Sequence, residues 1–132
     1  MTLECINPPD LPTPETYTQV VIARGTRLVF LSGQQPEDIH GKLVGRSDFA
    51  AQVRQTFINL GRALAAAGAL PKQVAKITIY VVDYRLDYHY PIIDNARATL
   101  FGDHKPANVV VGVAALSPDY LLEVDAVAVI DD

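Results

Sequence analysis

The 132-residue chain has little cysteine, few histidines and no long hydrophobic run, and each shortage excludes a class of protein. One cysteine rules out an internal disulfide, and the three histidines lie on separate predicted connections, where we expect them at the surface. No structural zinc site is predicted from so few and so scattered ligands. The apolar runs are far shorter than the roughly 20 residues of a membrane-spanning helix. Residues 1–5 lack the pattern of a signal peptide, so we expect a cytoplasmic protein with no membrane partner.

Basic charge is also scarce. Eleven Lys and Arg residues stand against fifteen Asp and Glu residues, giving a net charge of −4. A protein that follows a phosphate backbone needs a basic face, so we expect no nucleic-acid partner. The chain also lacks the glycine-rich motifs of dinucleotide and phosphate binding and the paired histidines of zinc proteases. We therefore expect no cofactor and no metal.

The composition supports one folded domain. Apolar residues make up 49% of the chain, enough for a core, and the length is typical of a single domain. Four of the nine prolines fall within the first sixteen residues. Because proline cannot donate a backbone hydrogen bond, we predict an extended arm over residues 1–16 and a single domain over residues 17–132.

Hydrophobic periodicity predicts an α+β fold with two helices. The spacing of Phe49, Val53, Phe57, Leu60 and Leu64 predicts one helical stripe. Ser47 or Asp48 is the expected N-cap, and Gly68 the expected stop. A second helix is predicted to begin at Pro91 and to end near Gly102, after a polar connection over residues 83–90. Strands are predicted as a hairpin over residues 20–31 and at residues 74–82, 108–116 and 121–130.

The predicted order β-β-α-β-α-β-β leaves one face of the sheet without helices. Two helices cover one face of a sheet, so the other face is either wet or buried by another subunit. Val109, Val111 and Val113 point to one side of their strand and Val110 to the other. A sheet that is apolar on both faces favours an oligomer.

Four polar residues are candidates for chemistry. Glu123 and Asp125 share one face of an otherwise apolar strand, as a general base in a cleft or as a solvated pair of carboxylates. Ser32 lies beside Gly33 at a strand end, and no histidine is spaced to activate it, so a hydrogen-bonding role is expected. Asn108 opens a strand, where its amide either caps the edge or contacts a substrate.

Short motifs distributed over residues 15–130 resemble those of one protein family. They are Tyr17-x-Gln19, Ser32-Gly33-Gln34-x-Pro36, Ala51-Gln52-x-Arg54-Gln55, Asn59-Leu60, Ala66-Ala67-Gly68, Lys76-x-Thr78-x-Tyr80-Val81 and the ending around Glu123. This set is similar to the Rid family of reactive intermediate deaminases, also called the YjgF family. The resemblance implies a chorismate-mutase-like fold, a mixed sheet backed by two helices. It also implies a homotrimer with an inner barrel and clefts between subunits.

The resemblance also implies an activity and a set of site residues. Catalytic members hydrolyse enamines and imines such as 2-aminoacrylate to 2-oxo acids and ammonia, without a cofactor. Tyr17 and Ser32 match the family's lining tyrosine and serine, and Glu123 matches the glutamate that positions or activates the water. The family's asparagine on the second helix falls at Asp94 or Asn95.

The sequence departs from the family at the residue that binds the substrate carboxylate. The place of the family's arginine holds Asn108, and the place of a common cysteine two positions later holds Val110. Losing a charge-assisted arginine–carboxylate pair costs on the order of 2–4 kcal/mol of binding, about 30- to 1,000-fold. We therefore expect an atypical small-molecule substrate, or an anchor supplied by Arg97 or Lys105.

Three functions follow in order of preference. The first is hydrolytic deamination of a small enamine or imine at a site between subunits. The second is a non-catalytic trimer that binds a small metabolite in the same clefts. An endoribonuclease is less expected, because the chain is acidic and has no histidine pair for phosphodiester cleavage.

Overall fold

The computed structural model describes residues 3–131. Met1 and Thr2 of the predicted arm and Asp132 of the predicted domain lie outside the described residues. The elements in chain order are β1 (Leu3–Ile6), β2 (Val20–Ala23), β3 (Arg27–Gln34), α1 (Phe49–Ala66), a 3-10 turn (Pro71–Gln73), β4 (Val74–Val82), α2 (Leu86–Phe101), β5 (Ala107–Val113) and β6 (Leu122–Ile130).

Strands β3 to β6 form one mixed sheet in the order β3-β6-β4-β5. Strand β6 runs antiparallel to β3 and β4, whereas β5 runs parallel to β4. A parallel neighbour needs a crossover connection, and α2 supplies it between β4 and β5. The predicted α+β architecture, a mixed sheet with two helices, is confirmed.

One face of this sheet packs against α1 and α2. Along β4, Ile77, Ile79 and Val81 are fully buried, while the residues between them are half-buried or exposed. Each such burial stabilises the fold by about 1.5–3 kcal/mol. The predicted helical stripe is buried, and the Asp48 side chain caps α1 by accepting a hydrogen bond from the backbone N–H of Ala51. Gly68 follows the helix with φ of 73°, as a C′ glycine does.

The other face, here called the open face, is covered by neither helix within residues 3–131. Apolar side chains on it are unusually exposed: 62% for Leu28, 72% for Phe30 and 44% for Val109. The polar residues Tyr80, Glu123 and Asp125 share this face, because the register places Tyr80 opposite Glu123, and Asp125 is two residues further along β6. Isolated exposed apolar residues are ordinary, but a group on one sheet face indicates a surface that is covered in an assembly.

The predicted hairpin over residues 20–31 is wrong. Strand β2 pairs with β1, antiparallel, and β3 pairs instead with β6 near the other end of the chain. Pairing with the nine-residue β6 places Val29 and Leu31 against the core, which a four-residue partner would not achieve. The arm also contributes a strand, β1, because its first proline comes only at Pro8, after that strand has ended.

The second helix begins five residues before its predicted start, at Leu86, so Pro91 lies inside it. The ring of His89 accepts a hydrogen bond from the backbone N–H of Arg85 at 2.8 Å, and this contact holds the start of the helix. His89 also packs against Phe49, with ring centroids 4.7 Å apart. His89 is therefore buried, contrary to the prediction of a surface histidine. Strand β5 begins at Ala107 and ends at Val113, three residues before its predicted end.

Candidate functional site

Glu123 is held in place by a side chain from the opposite end of the chain. Its Oε1 accepts a hydrogen bond of 2.6 Å from Nε2 of Gln35. Its Oε2 lies directly over Gly33, where an added Cβ would stand only 1.9 Å from that oxygen. Only glycine leaves room for the carboxylate in this position. Within residues 3–131, Oε2 has no hydrogen-bond partner and is open to accept one from a water molecule.

Ser32 directly precedes Gly33, the residue over which this carboxylate lies. The pairing of β3 with β6 is interrupted between Leu31 and Gln34, so Ser32 and Gly33 form an irregular step in the ladder. Such bulges redirect side chains and often occur next to functional sites. Ser32 is exposed there. These residues are called the Glu123 end: Ser32, Gly33, Gln35 and Glu123.

The neighbouring carboxylate, Asp125, has a partner of its own. The Tyr80 hydroxyl donates a hydrogen bond of 3.2 Å to Oδ2 of Asp125. Burial, followed by the negative charge of Asp125, raises the pKa of Tyr80 above its usual value, so this hydroxyl stays protonated at neutral pH. Each of the two carboxylates predicted to share a face thus has one oxygen engaged by a side-chain donor, and Glu123 is the one whose second oxygen lies over the glycine that follows Ser32.

Asn108 and Arg97 lie between α2 and β5, on the other side of the sheet. Asn108 is level with the fully buried Ile77, and its Oδ1 is buried without a hydrogen-bond partner among the described residues. Arg97 is 6% exposed; its Nε donates a hydrogen bond of 2.8 Å to Oδ1 of Asp94, and its Nη2 forms an ion pair with the same oxygen at 2.8 Å. Its Nη1 is also buried and finds no partner within residues 3–131. The positive charge of Arg97 is therefore balanced by Asp94.

Tyr17 belongs to this same region. Its neighbour Thr16 is hydrogen-bonded to the hydroxyl of Tyr90 on α2. Its other neighbour, Thr18, donates from its hydroxyl to the carbonyl of Lys105 and from its backbone N–H to the carbonyl of Pro106. The segment that contains Tyr17 is thereby fixed across α2 and the start of β5. The Asn108 end is defined by the residues Tyr17, Asp94, Arg97, Asn108 and Val110, the last of which packs against the core.

The two ends are separated within one chain. Asn108 is level with Ile77 and Glu123 with Tyr80, three residues further along β4, which corresponds to about 10 Å. The strands β5 and β6 flank β4 on opposite sides, adding about 10 Å across the sheet. Their side chains also point to opposite faces. The structure therefore brings Gly33, the chain neighbour of Ser32, to Glu123, but it does not bring Tyr17, Asp94, Arg97, Asn108 or Val110 to that residue.

No metal centre is present in the described part of the chain, where no three His, Cys, Asp or Glu side chains lie close enough to share an ion. Neither helix between residues 3 and 131 is both long and apolar enough to cross a membrane. A cavity of about 580 Å³ lies between α1 and α2, lined by neither Glu123 nor Asn108.

Comparisons with known proteins place the chain in a family. The family model described as Endoribonuclease L-PSP, the YjgF/Rid model, matches residues 10–130. The chain belongs to the YjgF/Rid family. A crystal structure of YyfB from Yersinia pestis, described as a conserved Rid family protein of unknown function, is 32% identical with a TM-score of 0.90 over 98% of this chain and 99% of that one. This likeness confirms the chorismate-mutase-like fold.

Two curated relatives in this family have names that state an activity. The 3-aminoacrylate deaminase RutC of Acinetobacter baylyi is 31% identical over 97% of this chain and 98% of its own length. The 2-iminobutanoate/2-iminopropanoate deaminase of Dermatophagoides farinae is 28% identical over 96% of this chain and 95% of its own length.

Proposed function

We propose that this YjgF/Rid protein is a hydrolytic deaminase of small enamine or imine metabolites. The observation that supports it best is the Glu123 carboxylate, which is braced by Gln35 on one oxygen and open on the other. Partial burial of a carboxylate without a neighbouring cation costs free energy, and such groups occur where their charge takes part in binding or catalysis. The names of the deaminase relatives point to the same chemistry.

In the proposed reaction, Glu123 takes a proton from water as the water oxygen bonds to the carbon of the C=N group. An enamine first gains a proton from solvent on carbon to become the iminium ion, which then takes the place of the imine. The protonated Glu123 returns its proton to the nitrogen of the tetrahedral intermediate; the C–N bond then breaks as the hydroxyl gives up its proton to the carboxylate, giving a carbonyl product and ammonia. The Ser32 hydroxyl is suited to hydrogen-bond the substrate's nitrogen or the developing hydroxyl. Glu123 acts as a general base, which typically contributes about 10²- to 10⁴-fold in rate.

The complete site requires a second subunit in this proposal. Glu123 and Asn108 lie on opposite faces and on different strands, so a ligand cannot contact both within one chain. A homotrimer in which the open faces meet would cover Leu28 and Phe30 and bring the Glu123 end of one subunit towards the Asn108 end of the next. Tyr17 would then reach the substrate from the neighbour.

Light scattering tests this assembly. We expect a mass of three times the 14.4 kDa chain, and we expect Phe30→Glu to lower it because a charge would be buried at the interface. Leu70→Glu is the matched control, since Leu70 is 52% exposed next to the 3-10 turn, away from the open face. A monomeric unmodified protein would contradict the proposed site.

The substrate is proposed to lack an α-carboxylate. At the Asn108 end the amide is neutral and the charge of Arg97 is balanced by Asp94. Lys105, two residues before β5, is a cation near this end, and it is a flexible point charge rather than a bidentate anchor. A substrate carboxylate would bind weakly at the Asn108 end, whereas an uncharged imine needs no cation and loses no binding affinity.

Imines generated in situ test this function. An amino-acid oxidase supplies 2-iminobutanoate, an amine oxidase supplies carboxylate-free imines, and semicarbazide trapping measures how fast each disappears. We expect faster loss with the protein present, at least tenfold more efficient for the carboxylate-free imines. The second candidate, a trimer that only binds metabolites, is favoured by the missing arginine. Calorimetric binding of a small 2-oxo acid together with no acceleration for any imine would select it.

A further inference from the structure

Asn59, on the inner side of α1, is connected to Glu123 through one residue. Its Nδ2 donates two hydrogen bonds, to the backbone carbonyl of Gln35 at 2.9 Å and to that of Glu37 at 2.8 Å. One amide group thereby clamps the carbonyls on both sides of Pro36. The side chain of the clamped Gln35 is the one that donates to Glu123.

The orientation of the Asn59 amide is itself fixed. Its Oδ1 accepts a hydrogen bond of 3.0 Å from Nε2 of Gln55, one helical turn earlier. With the oxygen engaged by a donor, the NH₂ group must face the two carbonyls. A flipped amide would set its oxygen against those carbonyls and lose three hydrogen bonds. Gln55 therefore determines which way Asn59 points.

The turn that Asn59 clamps is short and held from its other side. The backbone N–H of Glu37 donates to the carbonyl of Gln35 at 2.8 Å across Pro36, a three-residue turn whose φ suits proline. The carboxylate of Glu37 accepts a hydrogen bond of 2.7 Å from the hydroxyl of Tyr120, three residues before Glu123. The turn is thus fixed between α1 and the start of β6.

We propose that Asn59 is a positioning residue for the reaction: by clamping the turn around Pro36 it holds the Gln35 amide on Glu123 and so aims the carboxylate over Gly33. This rests on the proposed function, because it assigns Glu123 the role of base. A freed Gln35 side chain would let the carboxylate rotate among its staggered positions, and a base must lie within hydrogen-bond reach of its proton. Gln55 extends the same chain of contacts by one residue.

A double-mutant cycle tests the proposal. Gln35→Leu removes the donor to Glu123 and is expected to lower kcat about 10- to 100-fold with little change in KM. Asn59→Asp keeps the shape, replaces both donors by acceptors and is expected to produce a similar loss. If Asn59 acts through Gln35, the double variant loses no more than about threefold beyond Gln35→Leu. Losses that multiply in full would overturn the proposal.

A spectroscopic measurement tests, independently of turnover, whether Asn59 holds the Gln35 side chain in place. In the unmodified protein, the Gln35 side-chain amide protons are expected downfield and protected from exchange in nitrogen–proton NMR spectra. In Asn59→Asp they are expected to move to the position of a solvated amide, and an unchanged Gln35 signal would overturn the proposal. If no imine is hydrolysed at all, the proposed function fails, and this spectrum still tests the link from Asn59 to Gln35.

Two further variants serve as a control for Asn59→Asp and as a substitute for it. Gln73→Glu is the matched control for an amide changed to a carboxylate, because its oxygen continues to accept from the backbone N–H of Leu70. It is expected to leave kcat and the Gln35 signal unchanged. Should Asn59→Asp not fold, Gln55→Leu loosens the Asn59 amide without placing a charge beside the turn. It is expected to lower kcat about three- to tenfold with the Gln35 signal shifted in the same direction.

Discussion

The Glu123 end and the Asn108 end differ in whether their polar groups are hydrogen-bonded within the chain. At the Glu123 end the carboxylate is braced by Gln35, which is in turn fixed by the clamp from Asn59. At the Asn108 end, an amide oxygen and a guanidinium nitrogen are buried without partners among the described residues. Buried polar groups are rarely left unpaired in native structures. The Glu123 end is therefore braced within a single chain, whereas the Asn108 end has buried polar groups without partners among the described residues.

The difference indicates how this YjgF/Rid protein diverged. The residues that would move protons are supported by several hydrogen bonds from distant parts of the chain. The resemblance implies an arginine at the position that holds Asn108 in this chain, and the arginine on α2 is paired with Asp94. In the proposed function, the proton-transfer residues and the substrate-binding residues are thus located on different elements, so one set can change while the other stays.

Gly33→Ala is expected to have the largest effect at the Glu123 end. The added Cβ would lie 1.9 Å from Oε2 and 2.6 Å from Cδ of Glu123, so the carboxylate must swing away and leave Gln35. Because a side chain can move more easily than backbone, the fold should survive. We expect kcat for imine hydrolysis to fall about 10²- to 10⁴-fold.

Gly61→Ala is the control for the added methyl group. Its Cβ would meet only the end of the Leu100 side chain, at 3.3 Å, on the far side of α1. Turnover should stay normal in Gly61→Ala. Full turnover in a folded Gly33→Ala variant would show that the carboxylate over Gly33 is not the base.

Asn108→Arg is expected to have an intermediate effect at the other end. A guanidinium there restores a bidentate partner for a carboxylate, so kcat/KM for 2-iminobutanoate should rise about 10- to 100-fold. The carboxylate-free imines should show little change. Asn108→Gln is the neutral control and should leave both substrates unaffected.

The activity of the unmodified protein with 2-iminobutanoate can contradict this prediction. Rapid turnover of 2-iminobutanoate without any substitution would mean that Arg97 or Lys105 already binds the carboxylate. In that case Arg97→Gln or Lys105→Gln should abolish the activity, and the neutral description of the Asn108 end would be wrong.

The pH dependence of stability gives the smallest expected effect, at the turn that supports Gln35. The hydrogen bond to Glu37, followed by burial, raises the pKa of Tyr120 above its usual value near 10. The folded state therefore holds this proton more tightly than the unfolded state does. Its contribution to the free energy of unfolding is complete below pH 10 and is lost as the pH rises through the folded pKa.

Urea unfolding at pH 9 and at pH 11 measures that contribution. We expect Tyr120→Phe to reduce the loss of stability between the two pH values. Tyr80→Phe provides a comparison, because burial and Asp125 raise the pKa of Tyr80 in the same direction. An unchanged loss in Tyr120→Phe would mean that Tyr120 does not hold the turn through Glu37.

Local sequence patterns predicted much of the fold, but they did not predict which distant strands pair. The stripe and cap of α1 and the alternation of β4 follow from spacing within a few residues, and both are as predicted. The partner of β3 depends on β6, about 100 residues away, and a short apolar run does not specify which strand it will pair with. The start of α2 depends on the packing of His89, which tertiary structure alone provides.

The candidate site also contains residues that local patterns predict and residues whose role depends on distant contacts. Glu123 and Ser32 could be singled out from strand alternation and from a glycine beside a strand end. Gln35 occupies the variable position of its motif, and its contact with Glu123 joins residues 88 apart in the chain. Asn59 lies off the apolar stripe of α1, where a polar residue is expected on any amphipathic helix. The motif Asn59-Leu60 is part of the family resemblance, but the motif does not show that the Asn59 amide contacts residues 35 and 37.

Glu123→Gln tests the central claim most directly. The substitution keeps the shape of the side chain and its ability to hydrogen-bond, but it removes the capacity to accept a proton. Single-turnover and steady-state rates with the best imine substrate should show kcat lowered about 10²- to 10⁴-fold, with substrate binding nearly unchanged. A Glu123→Gln variant that is folded, trimeric and as fast as the unmodified protein would contradict the assignment of Glu123 as the base.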